Sequence, residues 1–393
     1  MTSSRIRFAL HAKAAALAAG LAVALPTVAG AKDTAISAGD IEDYMVMEVC
    51  VDAADHVVPG LTPVSPSCAR RRKIRPTDVV PYHLSGYDHE DKCPGHATIH
   101  DNLPVEHNGV TRIVKTVRVG YPLCGQPREP IPAYYSVRWL DSQYGFIMGA
   151  WGRGHENEGQ GKVGGGLTPS CAKGPQTSAR YFRNWPIASR ATPAPGSVSY
   201  AVFSKSSAIN GLPPLDSACP SDYNARFLSI WSRGPFAYRS GVTLDTVISH
   251  PYSQVDDSGT TPGKGRQMER TYWTREFGQV RWENWKRDDY ANKKGEKAPD
   301  LARESYQKGY CSRPYELAGQ LTPGMTLGPM EDNGEYSQVL TDERSGETHR
   351  WYMTGCLDLT NLIVAKSPQG DPYPSFDSLP AKFWEFWVPP PSL

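Results

Sequence analysis

The 393-residue sequence predicts a mainly β protein: antiparallel sheets of β-sandwich or jelly-roll type, few short helices, and disulfide staples. Three observations carry this expectation. Short runs alternate apolar and polar residues with period two, the half-buried strand pattern. Gly (36) and Pro (34) are abundant, which favours many turns over long helices. The cysteine count is even, at 8, with no C-x2-C pair to suggest a zinc ribbon.

The N-terminus has the three parts of a secretory signal in order. Arg5, Arg7 and Lys13 form a basic head, residues 14–25 an apolar run, and Ala29-Gly30-Ala31 a small-residue cleavage site. The apolar run is shorter than the roughly 20 residues a membrane helix needs. The expectation is therefore a signal over 1–31, an exported chain (secreted or periplasmic) and no transmembrane segment after cleavage. An oxidising compartment turns thiols into cross-links. Sequential pairing gives Cys50–Cys68, Cys93–Cys124, Cys171–Cys219 and Cys311–Cys356.

Strand patterns then follow along the chain. They lie at 44–51, at 110–119 after Asn108-Gly109, and at Tyr135, Val137 and Trp139. Others lie at Val198, Tyr200 and Val202, at 227–231, at 242–248 and at 350–353. One helix is expected over 300–308, with Pro299 ahead and Gly309 behind. The Gly-rich stretch 152–166 lacks the Gly-Lys-Ser/Thr of a phosphate loop and reads as a surface loop. Linker composition at 191–196 suggests an N-terminal β lobe over 32–195 and a C-terminal one over 196–393, or else one continuous β domain.

The strongest local pattern is E-R-T-Y-W-T-R-E-F-G-Q-V-R-W-E-N-W-K over 269–286, which reads as a hairpin. With Phe277-Gly278 as its loop, Trp273 faces Trp282, Thr274 faces Arg281, Tyr272 faces Glu283, Arg270 faces Trp285 and Glu269 faces Lys286. One face carries Thr271, Trp273, Val280 and Trp282 and suits burial. The other carries Arg270, Tyr272, Glu276, Arg281, Glu283 and Trp285. Aromatic rings beside charged groups suit sugar binding, so Arg270, Tyr272, Arg281 and Trp285 are the candidate ligand residues. Glu283 is the candidate catalytic carboxylate, with Glu276 or Glu269 as its second. A structural hairpin with solvated, paired charges is the plainer alternative.

Five of the 10 histidines fall between 83 and 107: His83, His89, His96, His100 and His107, among Asp88, Glu90, Asp91, Asp101 and Glu106. Imidazole and carboxylate ligate divalent metals, and His89, His96 and His100 are the candidate ligands. Pro94-Gly95 and Pro104 break the helix that would place His96 and His100 together. The sequence otherwise calls for no cofactor.

Charge is nearly balanced, with 42 basic and 41 acidic residues, and only Arg70-Arg71-Arg72-Lys73 forms a basic run. No basic stripe supports nucleic-acid binding. No G-x-S-x-G elbow occurs. The functional expectation is an exported β protein that binds carbohydrate or another envelope polymer and acts on it if a carboxylate pair is assembled. A non-catalytic interaction module of the envelope and a metal-dependent hydrolase using the 83–107 histidines are the alternatives.

Overall fold

The computed structural model describes residues 39–87, 97–107, 109–121, 132–140, 142–151, 186–204, 226–252 and 266–374. The mainly β, antiparallel, disulfide-stapled expectation is borne out. Residues Ala38–Leu393 form one compact unit. The linker-like stretch 191–196 is pinned inside it. Thr192 N–H donates to the Gly39 carbonyl (3.0 Å) and Gly196 N–H to the Arg233 carbonyl (2.8 Å).

A short 3-10 helix (Ile41–Tyr44) and a two-stranded ribbon, β1 (Glu48–Cys50) with β2 (Arg71–Lys73), open the described chain. A seven-stranded sheet follows. Its strands are β3 (Tyr82–Ser85), β4 (Ala97–His107), β5 (Val110–Tyr121), β6 (Pro132–Leu140), β7 (Tyr144–Trp151), β8 (Pro186–Ser189) and, at the far edge beside β3, β19 (Asn361–Val364). The β4–β5 turn falls where the sequence expects it: His107 pairs with Val110, and Gly109 sits at φ +74.

The larger sheet holds β9 (Val198–Ser204), β10 (Arg226–Ala237), β11 (Thr243–Tyr252), β12 (Gln267–Thr274), β13 (Gly278–Arg287), β14 (Gly319–Thr322), β15 (Met325–Leu327), β16 (Glu331–Asp332), β17 (Tyr336–Asp342) and β18 (Thr348–Asp358). Its main path runs β14-β15-β17-β18-β13-β12-β11-β10-β9. Register shifts at Tyr272/Trp273, Asn284/Trp285 and Gln320/Thr322 add local twist. The sheet coils until β14 lies alongside β9, so it nearly closes into a barrel. Helix α1 (Ala298–Lys308) packs outside against β18 and ends at Gly309, φ +61, as its flanking residues expect.

Two cores result. One fills the inside of the coiled sheet with Leu228, Ile230, Tyr252, Met268, Trp285, Leu317, Leu327, Leu340, Trp351 and Met353. The other lies between the sheets and under the N-terminal segment, with Met45, Val49, Tyr82, Leu103, Val114, Phe146, Trp231, Val247, Trp273 and Phe277. Two disulfides join nearest neighbours in the sequence, Cys50–Cys68 and Cys311–Cys356, as expected. Cys93, Cys124, Cys171 and Cys219 lie outside the described residues.

The tip of the β12–β13 hairpin is where the smaller sheet grips the larger one. The Tyr82 and Phe277 rings meet edge to face at 5.8 Å. Asn102 Nδ2 donates to the Phe277 carbonyl at 2.9 Å. Gly278 sits there at φ +76, and a Cβ on it would lie 2.7 Å from Asn102 Cβ and Cγ. Gly278→Ala is therefore expected to destabilise the fold by about 1–3 kcal/mol. An equilibrium urea titration checks this through a lower midpoint at unchanged slope.

Candidate functional site

The β12–β13 hairpin forms where the sequence places it, but its register and surroundings differ from expectation. Trp282 lies opposite Thr271 rather than Trp273, a slip of two residues. The loop is residues 275–277, with Gly278 beginning the return strand, and a bulge at Tyr272/Trp273 takes up the offset. Glu269 consequently faces Asn284, and Lys286 faces Gln267. An even slip keeps each residue on its face. Arg270, Tyr272, Arg281, Glu283 and Trp285 therefore do share one side.

That side is not open. All five residues are fully buried inside the coiled sheet, which corrects the expectation of a solvent-facing polar surface. The hairpin is central in its sheet, so curling encloses one face while the smaller sheet covers the other. Glu283 accepts three hydrogen bonds there: from Tyr272 Oη (2.7 Å) and Arg281 Nε (2.8 Å) on Oε1, and from Trp285 Nε1 (2.8 Å) on Oε2. Arg281 donates onward to the Ser312 carbonyl (2.8 Å) and hydroxyl (3.0 Å) and lies 3.8 Å from Asp358. Burial raises the Tyr272 hydroxyl well above its ordinary range, with the Glu283 charge adding to the shift. Tyr272 is therefore a neutral donor.

Glu276 sits apart, at the hairpin tip. Its carboxylate meets Arg71 at 3.2 Å, and Arg71 also reaches Glu48 at 3.3 Å. Burial pushes the Glu48 carboxyl up, against the pull of Lys73 and Arg71. The basic run is thus matched internally. Arg70 bonds the Asp52 and Ala53 carbonyls, and Arg72 pairs with Asp55 and Asp78.

The histidine cluster divides. His89 and His96 lie outside the described residues. His100 is buried within β4, opposite Leu84. His83 is clamped between carboxylates, with Nδ1 3.0 Å from Asp101 and Nε2 2.8 Å from Asp371. That contact ties β3, β4 and the segment after β19 together. Among the described residues no three His, Cys, Asp or Glu side chains are grouped to hold a metal ion.

A surface site is formed elsewhere, between α1, β13 and β18. A groove of about 330 Å³ is lined by Trp282, Leu301, Glu304, Ser305, Lys308, Tyr310, Thr354, Gly355 and Cys356. Its volume is in the range of small-ligand sites. Leu301, Glu304, Ser305 and Lys308 fall at i, i+3, i+4 and i+7, one stripe of the helix. A stripe facing a sheet is ordinarily apolar, yet only Leu301 is apolar here. The buried helix residues are Ala298 and Ala302.

On the sheet side, the partly exposed Trp282 lines the groove. Gly355 neighbours it: a Cβ there would meet the Trp282 ring at 4.0 Å, an ordinary van der Waals contact. Its Nε1 donates to Glu269 Oε2 at 2.8 Å, which fixes the ring's orientation. Burial pushes the Glu269 carboxyl above its usual range, opposed by the Trp282 hydrogen bond and the Lys286 ammonium. Glu304 and Lys308 form an ion pair at 2.6 Å along the rim. The disulfide partner Cys356 closes the floor.

Sequence reasoning placed Trp282 on the buried face and did not find this groove. The available signal was the polar stripe on the expected helix, but the helix's packing partner was not visible. Comparison with family models, with curated proteins and with solved structures gives no match.

Two outcomes follow from this chemistry. Glu283→Gln leaves Arg281 without its closest countercharge, and breaking a buried pair costs about 3–5 kcal/mol. Urea unfolding measures it, and a cost below about 1 kcal/mol would show that the network is not structural. The second outcome concerns pH. The folded state holds the Glu269 proton above the ordinary 4.5, so it binds more protons than the unfolded chain from there upward. This contribution is fully present below 4.5 and is lost as pH rises through the folded value. The stability of wild type relative to Glu269→Gln should be flat below pH 4.5 and decline above it. Denaturant midpoints taken at intervals from pH 4 to pH 7 supply the comparison, and a rising difference contradicts the assignment.

Proposed function

We propose that this chain is an exported carbohydrate-binding protein and that the groove between α1, β13 and β18 is its sugar site. The single observation that carries the reading is the partly exposed Trp282 ring, held in orientation by Glu269 and lining the groove. A pyranose offers one apolar face that stacks on such a ring, while its hydroxyls need donors and acceptors at the rim. Glu304, Ser305, Lys308 and Thr354 provide both kinds. Tyr310 adds a second aromatic wall. The two disulfides support export, since such bonds persist in oxidising compartments. No helix among the described residues is long and apolar enough to cross a membrane. The ligand is then a soluble or envelope polysaccharide met outside the cytosol. The reading stops at binding, because Glu304, the carboxylate that lines the groove, is ion-paired along the helix.

A glycan array followed by tryptophan-fluorescence titration tests the proposal on the mature chain. Binding of at least one polysaccharide is expected. Trp282→Ala should weaken it roughly tenfold to a hundredfold, the loss of one buried aromatic contact. If no glycan binds, or Trp282→Ala binds as wild type does, the interaction-module reading takes its place.

A further inference from the structure

The inside of the coiled sheet contains a second polar arrangement, separate from the groove. Ile248 pairs with Tyr272 and Tyr252 with Met268, which sets His250 of β11 opposite Arg270 of β12. The alternation of β12 places Arg270 on the enclosed face with Tyr272, so His250 lies on that face too. Both side chains are fully buried. Arg270 Nη2 donates to Gln338 Oε1 at 2.5 Å, and its guanidinium carbon stands 4.2 Å from the Trp285 ring centroid. Among the described residues its Nε and Nη1 have no acceptor and neither ring nitrogen of His250 has a partner.

Four polar atoms on neighbouring buried side chains are thus without partners among the described residues, and leaving such atoms unpaired opposes folding. Among the described residues the guanidinium also has no carboxylate in hydrogen-bond contact. Glu283 faces it across the strands, but its oxygens serve Tyr272, Arg281 and Trp285. Among the described residues Arg270's one hydrogen-bond partner is the neutral amide of Gln338, itself held by the Leu317 and Gly328 carbonyls. Burial, reinforced by the Arg270 charge, keeps His250 neutral, so the imidazole has one N–H to donate. Among the described residues, two N–H groups of Arg270 and the one N–H of His250 are therefore unpartnered donors on the same enclosed face, beside a single imidazole acceptor nitrogen.

We propose that the interior of the coiled sheet binds one small monovalent anion of halide size between Arg270 and His250. An anion accepts from the guanidinium and from the imidazole N–H together, and it supplies the countercharge that Gln338 cannot. Its size is bounded by the packing around it, since Leu228, Ile230, Tyr252, Met268, Trp285 and Met353 fill the same interior. Its role is structural, bracing β11 against β12, and it is independent of the sugar groove.

Bromide is the probe. Crystals of wild type grown in bromide should give an anomalous peak within hydrogen-bond range of Arg270 and His250. In solution, raising chloride against gluconate at fixed ionic strength should raise the unfolding midpoint by roughly 2 °C. Arg270→Met should abolish that dependence, and His250→Gln should weaken it. The proposal is overturned by a bridging water and no bromide peak at these atoms, or by Arg270→Met keeping the wild-type chloride response. If Arg270→Met does not fold, the wild-type bromide map and His250→Gln decide the matter.

Discussion

Glu283 and Arg281 neutralise each other at 2.8 Å with no access to solvent, and the larger sheet is arranged around that pair. A buried ion pair is tolerated only when its remaining hydrogen-bonding capacity is met. Tyr272 and Trp285 complete the carboxylate, and Ser312 completes the guanidinium. These partners come from β12, β13 and the segment after α1. The pair can therefore persist only if the hairpin is in register and that segment is docked. On the opposite face the same hairpin offers Trp273 and Gln279 to the smaller sheet. There Arg138 reaches Gln279 at 2.7 Å and lies 5.0 Å from the Trp273 ring centroid. Both cores thus meet on one pair of strands.

The same network positions the surface groove. The chain leaving α1 carries Cys311, bonded to Cys356 on β18, and Ser312, bonded to Arg281. Ser312 Oγ also donates to the Ala237 carbonyl at 2.9 Å. Three residues further on, Tyr315 N–H donates to the Tyr272 hydroxyl at 3.2 Å. The end of the helix is held covalently on one side of the sheet wall and by hydrogen bonds through to the other. The Tyr306–Tyr336 ring contact and the Arg303–Glu335 ion pair anchor the helix further along. The polar stripe of α1 and Trp282 thereby line the same groove.

Much of this architecture was legible in local chemistry. Alternation at Val198, Tyr200 and Val202, the Asn108-Gly109 turn, and the Pro299 and Gly309 limits of α1 report backbone preferences that need no distant partner. The two described disulfides joined nearest neighbours because each closes a short excursion, of 18 and 45 residues. Apart from Glu276, which falls in the loop and pairs with Arg71, the membership of the hairpin's two faces was also legible, because a two-residue slip preserves it. The slip itself was not, since it depends on where the loop places Gly278, and Asn102 of another sheet abuts that glycine.

Sequence alone determined which residues lie together on a strand face and where the chain turns, because period-two alternation and φ preferences act within a few residues. Whether a face meets water was decided by tertiary structure. Arg270, Tyr272, Arg281, Glu283 and Trp285 have the composition of a solvent-facing binding surface, yet the coiling of ten strands encloses them. Trp282, on the side that looked like core, lines the groove instead. Sheet curvature accumulates from bulges and twist over many strands, and the burial of any one residue depends on that sum, to which its own neighbourhood in the sequence contributes little.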